Sequence, residues 1–307
     1  MLSTPLLVAL LSLLLPLFLL TGLGCLLAKT RVLGAHWQSG LNQLTAKILI
    51  PALLFSGAYR NGIPAAVSWQ VLAAFFLPLL MLFLVAAFGL PRSPARAERA
   101  LAAIYSNTVF VGIPVLSQAF GEASLQYAFP VIAFHGLIAF TLYYLAAPSA
   151  GGSGEPLTAL ANTLKNPVVL SLMLGLAFNV LPVTLPAPLA MALAWLANAA
   201  LPCALLALGA SLAVFRLHAP LHSAATVLVK LVLLPACVLG MATLVLGLAP
   251  PVTAVLVVIA ACPVGVNAAA LVQSDGKDTA LVSSATLLSS MLCVLTLPLW
   301  IWIVRGL

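Results

Sequence analysis

Apolar residues run along this chain in long stretches, and short polar clusters separate one stretch from the next. Runs of about 20 apolar residues are long enough for a helix to cross the hydrocarbon core of a bilayer. Ten are read: Pro5–Ala28, Ser39–Tyr59, Trp69–Leu90, a fourth from near Arg99, Leu125–Ala147, Leu157–Leu181, a seventh around Ala199–Ala210, Ala224–Leu248, Val252–Ser274 and Leu281–Val304. The pattern predicts an all-α membrane protein folded as one helical bundle.

Two of these runs are interrupted. In Ser106-Asn107-Thr108-Val109-Phe110-Val111-Gly112-Ile113-Pro114, Gly112 removes side-chain bulk. Pro114 removes a backbone donor and clashes with the carbonyl four residues back, so a helix break is expected at Gly112–Pro114. In the ninth run, Pro263, Gly265 and Asn267 predict a second break. Backbone groups opened in this way are costly in lipid, and are tolerated only inside protein or beside a watery cavity. Two broken spans in corresponding places of two halves point to the midplane site of a secondary transporter.

The halves can be read from the sequence. Ala147-Pro148-Ser149-Ala150-Gly151-Gly152-Ser153-Gly154-Glu155-Pro156 is a flexible linker near the middle. It predicts a first five-helix repeat over 1–147, a cytoplasmic linker over 148–157 and a second repeat over 158–307. Leu49-Ile50-Pro51-Ala52-Leu53-Leu54 in the second run is echoed by Ala200-Leu201-Pro202-Cys203-Ala204-Leu205 in the seventh. With an odd number of spans per half, the two repeats enter the membrane in opposite orientation.

Ser106 to Pro114, read as S-N-T-x-F-x-G-I-P, and Pro263 to Asn267, read as P-x-G-x-N, resemble the two crossover segments of the auxin efflux carrier family. That family includes bacterial malonate and malate carriers and plant auxin exporters. The resemblance covers nearly the whole chain and implies about ten helices in two inverted five-helix repeats, the fourth and ninth broken and crossing. It further implies a scaffold, a moving bundle and carriage of an organic anion; the spacing alone does not give the substrate.

If the two broken helices meet at their interruptions, each distal half-helix presents a positive dipole end and backbone donors to an anion. The substrate-binding set is then Asn107, Thr108, Gly112, Ile113, Pro114, Cys262, Pro263, Val264, Gly265 and Asn267. Asn107 and Asn267 supply amide donors on this reading; the alternative is that each only caps its own helix. Pro51 and Pro202 would help the scaffold meet the moving bundle. Lys47 and Lys230 stand within apolar runs, where a charge either reaches to the interface or serves the site. His135 is either a proton carrier or a hydrogen-bonded packing residue.

Composition agrees. Among 307 residues 64% are hydrophobic and 6% charged, with a mean hydropathy of +1.23. Soluble domains carry about 25% charged residues, so a water-soluble globule is excluded. A net charge of +7 raises the question of nucleic acid, and the placement of the charges answers it. Lys29, Arg31, Arg92, Arg96, Arg99, Lys165, Arg216 and Lys277 fall at alternate connections, against Arg60 and Arg305 on the other set, with no basic patch. The positive-inside rule then puts the first set in the cytoplasm and both termini on the outer side of a bacterial inner membrane.

Cys25, Cys203, Cys237, Cys262 and Cys293 form no C-x-x-C pair, so neither a disulfide framework nor a metal knot is expected. The first run lacks the basic start and short core of a signal peptide and is read as a span. Glu98, Glu122, Glu155, Asp275 and Asp278 all fall at or near connections. The lack of a mid-span carboxylate argues against a cation as main substrate, since cations want hard anionic ligands.

The expected function is alternating-access, elevator-like transport of a small carboxylate, without cofactor or metal and with coupling to protons or sodium left open. The bilayer is the other expected partner, and a homodimer would form through the scaffold helices. Rival readings are a sodium-coupled symporter of the bile-acid type, a ligand sensor or channel, and an intramembrane enzyme. The enzyme reading finds neither an H-E-x-x-H motif nor a paired nucleophile and base.

Overall fold

A computed structural model of the chain describes residues 4–32, 36–61, 69–89, 95–147, 167–181, 183–214, 217 and 220–307. The linker expected over 148–157 lies outside the described residues, as do Arg92, Lys165 and Arg216. Each of the ten predicted runs is mainly helical where described, the fourth and ninth being interrupted. They give α1 (Thr4–Thr30), α2 (Trp37–Leu44), α3 (Ile50–Asn61), α4 (Trp69–Leu84), α5 (Arg96–Ile104), α6 (Ile113–Phe120), α7 (Leu125–Ala146), α8 (Pro167–Val180), α9 (Ala187–Val214), α10 (Pro220–Leu228), α11 (Leu234–Gly240), α12 (Pro250–Ala261), α13 (Asn267–Ser274) and α14 (Ala280–Arg305). Among the described residues, six helical stretches are long and apolar enough to cross a membrane: Trp37–Arg60, Trp69–Gly89, Glu122–Ala146, Ala187–Val214, Ser223–Val245 and Ala280–Arg305. Leu15–Thr30, Thr108–Phe120, Leu170–Val180 and Pro250–Ala261 are shorter apolar helices.

Several helices are joined end to end by a single wide π turn. Three of these turns, Thr45–Leu49, Thr108–Gly112 and Val229–Leu233, end two residues before Pro51, Pro114 and Pro235. The reason is steric. A proline ring collides with the carbonyl four residues back and offers no N–H, and one wider turn relieves both problems without ending the helix. At two of them the residue preceding the proline bonds five residues back, Ile50 N–H to Thr45 and Leu234 N–H to Val229.

The chain divides into two compact units that interleave its sequence halves. Unit 1 comprises Met1–Val67, Val109–Ala133 and Leu164–Val214. Within it α1 and α9 approach closely at Gly24, which faces the Leu206 backbone, and at Gly209, which faces the Thr21 backbone. A Cβ at either position would overlap main chain, and small residues of this kind let membrane helices pack without a hydrophobic driving force. Gly175 of α8 likewise sits on the Phe55 backbone of α3, beside a stacked Phe55–Tyr59 pair. Asn179 Nδ2 donates to the Tyr59 carbonyl at 2.8 Å and secures the end of α3.

Unit 2 comprises Ser68–Thr108, Phe134–Thr163 and Phe215–Leu307, so α7 is shared along its length. Its centre is α12, of which Val252 to Ala261 are all buried. A helix apolar on every side belongs in the middle of a bundle. At one end of the unit the Lys277 ammonium lies 3.2 Å from Asp275 and 3.8 Å from the buried Glu98, and the Tyr143 hydroxyl donates to Asp275 at 2.9 Å.

Candidate functional site

The first break does not lie at Gly112–Pro114. Gly112 is helical, with φ −61 and ψ −50, and Pro114 occupies the first turn of α6, where its missing N–H costs nothing. The preceding π turn absorbs the ring. The helix is instead interrupted at Tyr105–Asn107, where Tyr105 turns extended at φ −81 and ψ 107. No glycine or proline forces this; Ser106, Asn107 and Thr108 are short polar residues that compete with helical bonding, and tertiary partners hold the opened backbone.

The second break falls where the sequence places it. α12 ends at Ala261, Cys262 turns extended at φ −60 and ψ 149, and α13 begins at Asn267. Pro263 dictates this, because the residue before a proline is driven out of the helical region.

Within unit 2 the two breaks pair as an antiparallel bridge between Ser106 and Val264. Asn107 N–H donates to the Pro263 carbonyl at 2.8 Å, and Gly265 N–H to the Tyr105 carbonyl at 3.1 Å. The flanking donors are held by side chains. Ser106 N–H donates to His135 Nε2 at 2.9 Å, and Val264 N–H to Ser289 Oγ at 3.0 Å. The Lys230 ammonium donates to the carbonyls of Ala260 at 2.6 Å and Cys262 at 2.7 Å. A buried break therefore survives because its opened backbone groups are satisfied. The amides of Ser106, Asn107, Val264 and Gly265 are committed within the protein.

Tyr105 packs against this bridge. Its ring stacks on His135 at 5.2 Å with the planes 5° apart, and its hydroxyl hydrogen-bonds with the Asn267 side chain. Gly265 lies against that ring, and a Cβ there would fall 2.5 Å from it. His135 is 1% exposed and has Phe75 edge-on at 5.6 Å. As Nε2 accepts a hydrogen bond from an amide N–H, the hydrogen-bond network assigns the ring proton to Nδ1 and makes the ring neutral.

Seven of the expected binding residues, Asn107, Thr108, Cys262, Pro263, Val264, Gly265 and Asn267, thus belong to unit 2 and flank its bridge, together with His135 and Lys230. Asn107, Thr108, Cys262 and Val264 are buried, and Asn267 is exposed. Gly112, Ile113, Pro114, Lys47, Pro51 and Pro202 belong to unit 1. Lys47 is exposed. Lys230 does not reach to an interface: it is fully buried, because the C-terminal carbonyls of α12 attract its charge inward. Sequence reasoning missed Tyr105 and Ser289. A serine within an apolar span is a signal that was available, since such hydroxyls bond neighbouring backbone.

Among the described residues no group of three or more His, Cys, Asp or Glu is placed to hold a metal ion. Beside the bridge stand the Asn107 and Asn267 side chains and the buried Lys230 amine.

Comparison with known proteins adds to this geometry. A family model described as "Membrane transport protein" matches residues 9–301. An "Uncharacterized transporter" of Methanothermobacter thermautotrophicus is 27% identical over 291 residues, covering 91% of this chain and 93% of its own. A "Putative malonate transporter" of Rhizobium meliloti is 27% identical over 308 residues, covering 96% of each.

Proposed function

The chain belongs to the auxin efflux carrier family of membrane transport proteins, and from that premise we propose that it is a secondary carrier of a small carboxylate bound at the paired breaks of unit 2. The observation that carries the reading is the antiparallel exchange between Tyr105–Asn107 and Pro263–Gly265. It fixes two interrupted helices where the Asn107 and Asn267 amides and the Lys230 charge flank one place. Irregular backbone at membrane depth belongs to substrate sites in transporters with broken helices.

In this reading the ten helical runs form two inverted repeats, a bundle of the third to fifth and eighth to tenth runs carries the anion against a scaffold of the first, second, sixth and seventh, and access alternates between the two sides. The protein lies in the inner membrane with both termini outside. A short dicarboxylate is the first substrate to try, because malonate is named for the Rhizobium meliloti relative. The acidic residues support an anion over a cation. Glu98 and Asp275 attend Lys277, and Asp278 accepts from the Ala280 amide at 2.9 Å, so none of these three carboxylates of unit 2 is offered to the bridge.

Counterflow in vesicles tests the reading. Protein loaded with unlabelled malonate should concentrate labelled malonate from outside, and Asn107→Ala and Asn267→Ala should each slow this about tenfold or more, the usual scale for a lost hydrogen bond to a charged group. Full counterflow by both variants, folded and in the membrane, would remove the site assignment. Uptake unaffected by sodium separates this carrier from a symporter of the bile-acid type, and no counterflow with any dicarboxylate would favour a sensor.

A further inference from the structure

Among the described residues the Lys230 ammonium has no carboxylate partner. It stands inside the π turn Val229–Leu233, fully buried, and its two acceptors are the neutral carbonyls of Ala260 and Cys262. An ammonium has three protons to give, and these bonds use two. The unit's described carboxylates are occupied elsewhere: Glu98 and Asp275 with Lys277, Asp278 with a backbone amide. A charge buried in this way, with no carboxylate beside it among the described residues, is expensive unless something of opposite sign is brought to it. Cys262, whose carbonyl it holds, is next in sequence to Pro263, whose carbonyl takes the Asn107 amide.

We propose that the transported anion is the missing counter-ion of Lys230: the buried ammonium, fixed on the end of α12, supplies the full charge that selects and binds a carboxylate at the paired breaks. This rests on the carboxylate-carrier reading above and goes further in naming the charge that decides the sign of the cargo. The amides at the bridge are already bonded to the protein, and Asn107 and Asn267 are dipolar groups that a neutral solute could also satisfy. Lys230 is what separates malonate from its uncharged diamide. Its charge acts across the carbonyls it holds, and in a low-dielectric interior a field over such a distance is screened far less than in water. Lys230 is therefore a positioning and charge-setting residue, with the cargo's contact groups supplied by the breaks.

The test uses full-length protein in nanodiscs, with malonate and malonamide as probes and calorimetry as readout. Lys230→Gln keeps an amide donor for one of the two carbonyls and removes the charge; Lys230→Met removes both and suits a buried site, so at least one of them is expected to fold. Either should weaken malonate by about tenfold or more, the scale for deleting one member of a desolvated charge pair, and leave the low affinity for malonamide unchanged. Asn267→Ala serves as the companion, because it should weaken both probes. Folded Lys230→Gln or Lys230→Met protein that binds malonate within about twofold of the unaltered protein, while Asn267→Ala loses it, would overturn the role of Lys230 and leave the site reading standing. Unaltered protein that binds no dicarboxylate would overturn both.

Discussion

The indole Nε1 of Trp300 donates to the carbonyl of Leu231 at 2.8 Å, and Leu231 is the residue whose helical donor would be the N–H that Pro235 lacks. A tryptophan on α14 thereby completes the bonding of a turn that a proline has opened, one residue from Lys230. Both residues are buried. Trp300→Phe keeps most of the packing and removes the donor, leaving a buried carbonyl unsatisfied. Stability should fall by about 1–3 kcal/mol, seen as a lower midpoint in thermal unfolding. If the turn also aims Lys230, malonate binding should weaken alongside.

Gly265 is fixed by close approach. Its Cβ position is 2.5 Å from the Tyr105 ring and 3.3 Å from the Ser106 carbonyl oxygen. That ring is stacked on His135 and cannot simply rotate away. Gly265→Ala should spread the bridge and reduce counterflow strongly. Gly136→Ala, in the same unit and with nothing within 4 Å, should leave transport intact and stabilise α7 by about 0.5–1 kcal/mol through its better helix propensity. Equal effects of the two substitutions would show that the bridge has slack.

His135 ties the Tyr105 ring to the break by accepting a hydrogen bond from the Ser106 N–H, and protonation would turn Nε2 into a donor facing another donor. Acid therefore opposes this bond, and transport should fall as pH is lowered far enough to charge the ring. His135→Gln retains a carbonyl acceptor and does not titrate, so its acid-side loss should be smaller than that of the unaltered protein. A parallel decline in both, measured as counterflow against pH, would assign the acid sensitivity to another group.

Glu98 is 3% exposed and has the Lys277 ammonium 3.8 Å away. Lys277→Met would strand that carboxylate and should cost toward the low end of the about 3–5 kcal/mol seen when one member of a buried pair is removed. Adding Glu98→Gln should restore part of the loss. A double-mutant cycle on thermal stability measures the coupling; additive losses would mean that Glu98 and Lys277 stand independently, with Asp275 as the lysine's only working partner.

How much of this was readable beforehand differs between two prolines. Pro263 ends α12 at the expected residue because its effect is local: it drives Cys262 extended whatever surrounds it. Pro114 was given the same power and does not use it. A π turn can absorb a proline ring, and whether the chain takes that course depends on neighbours far away in sequence. The break appears instead at Tyr105–Asn107, stabilised by Pro263, Gly265 and His135, which no window along the chain contains. The helical runs were legible because lipid-length apolarity is a one-dimensional property. The burial of Lys230 was not, since a charge in an apolar run reads the same whether it reaches outward to water or inward to the carbonyls of another helix.

The rung joining Ser106 to Val264 is written in main-chain atoms, which every residue but proline possesses in full. Substitutions around it, to any residue but proline, therefore leave the donors and acceptors of this rung in place.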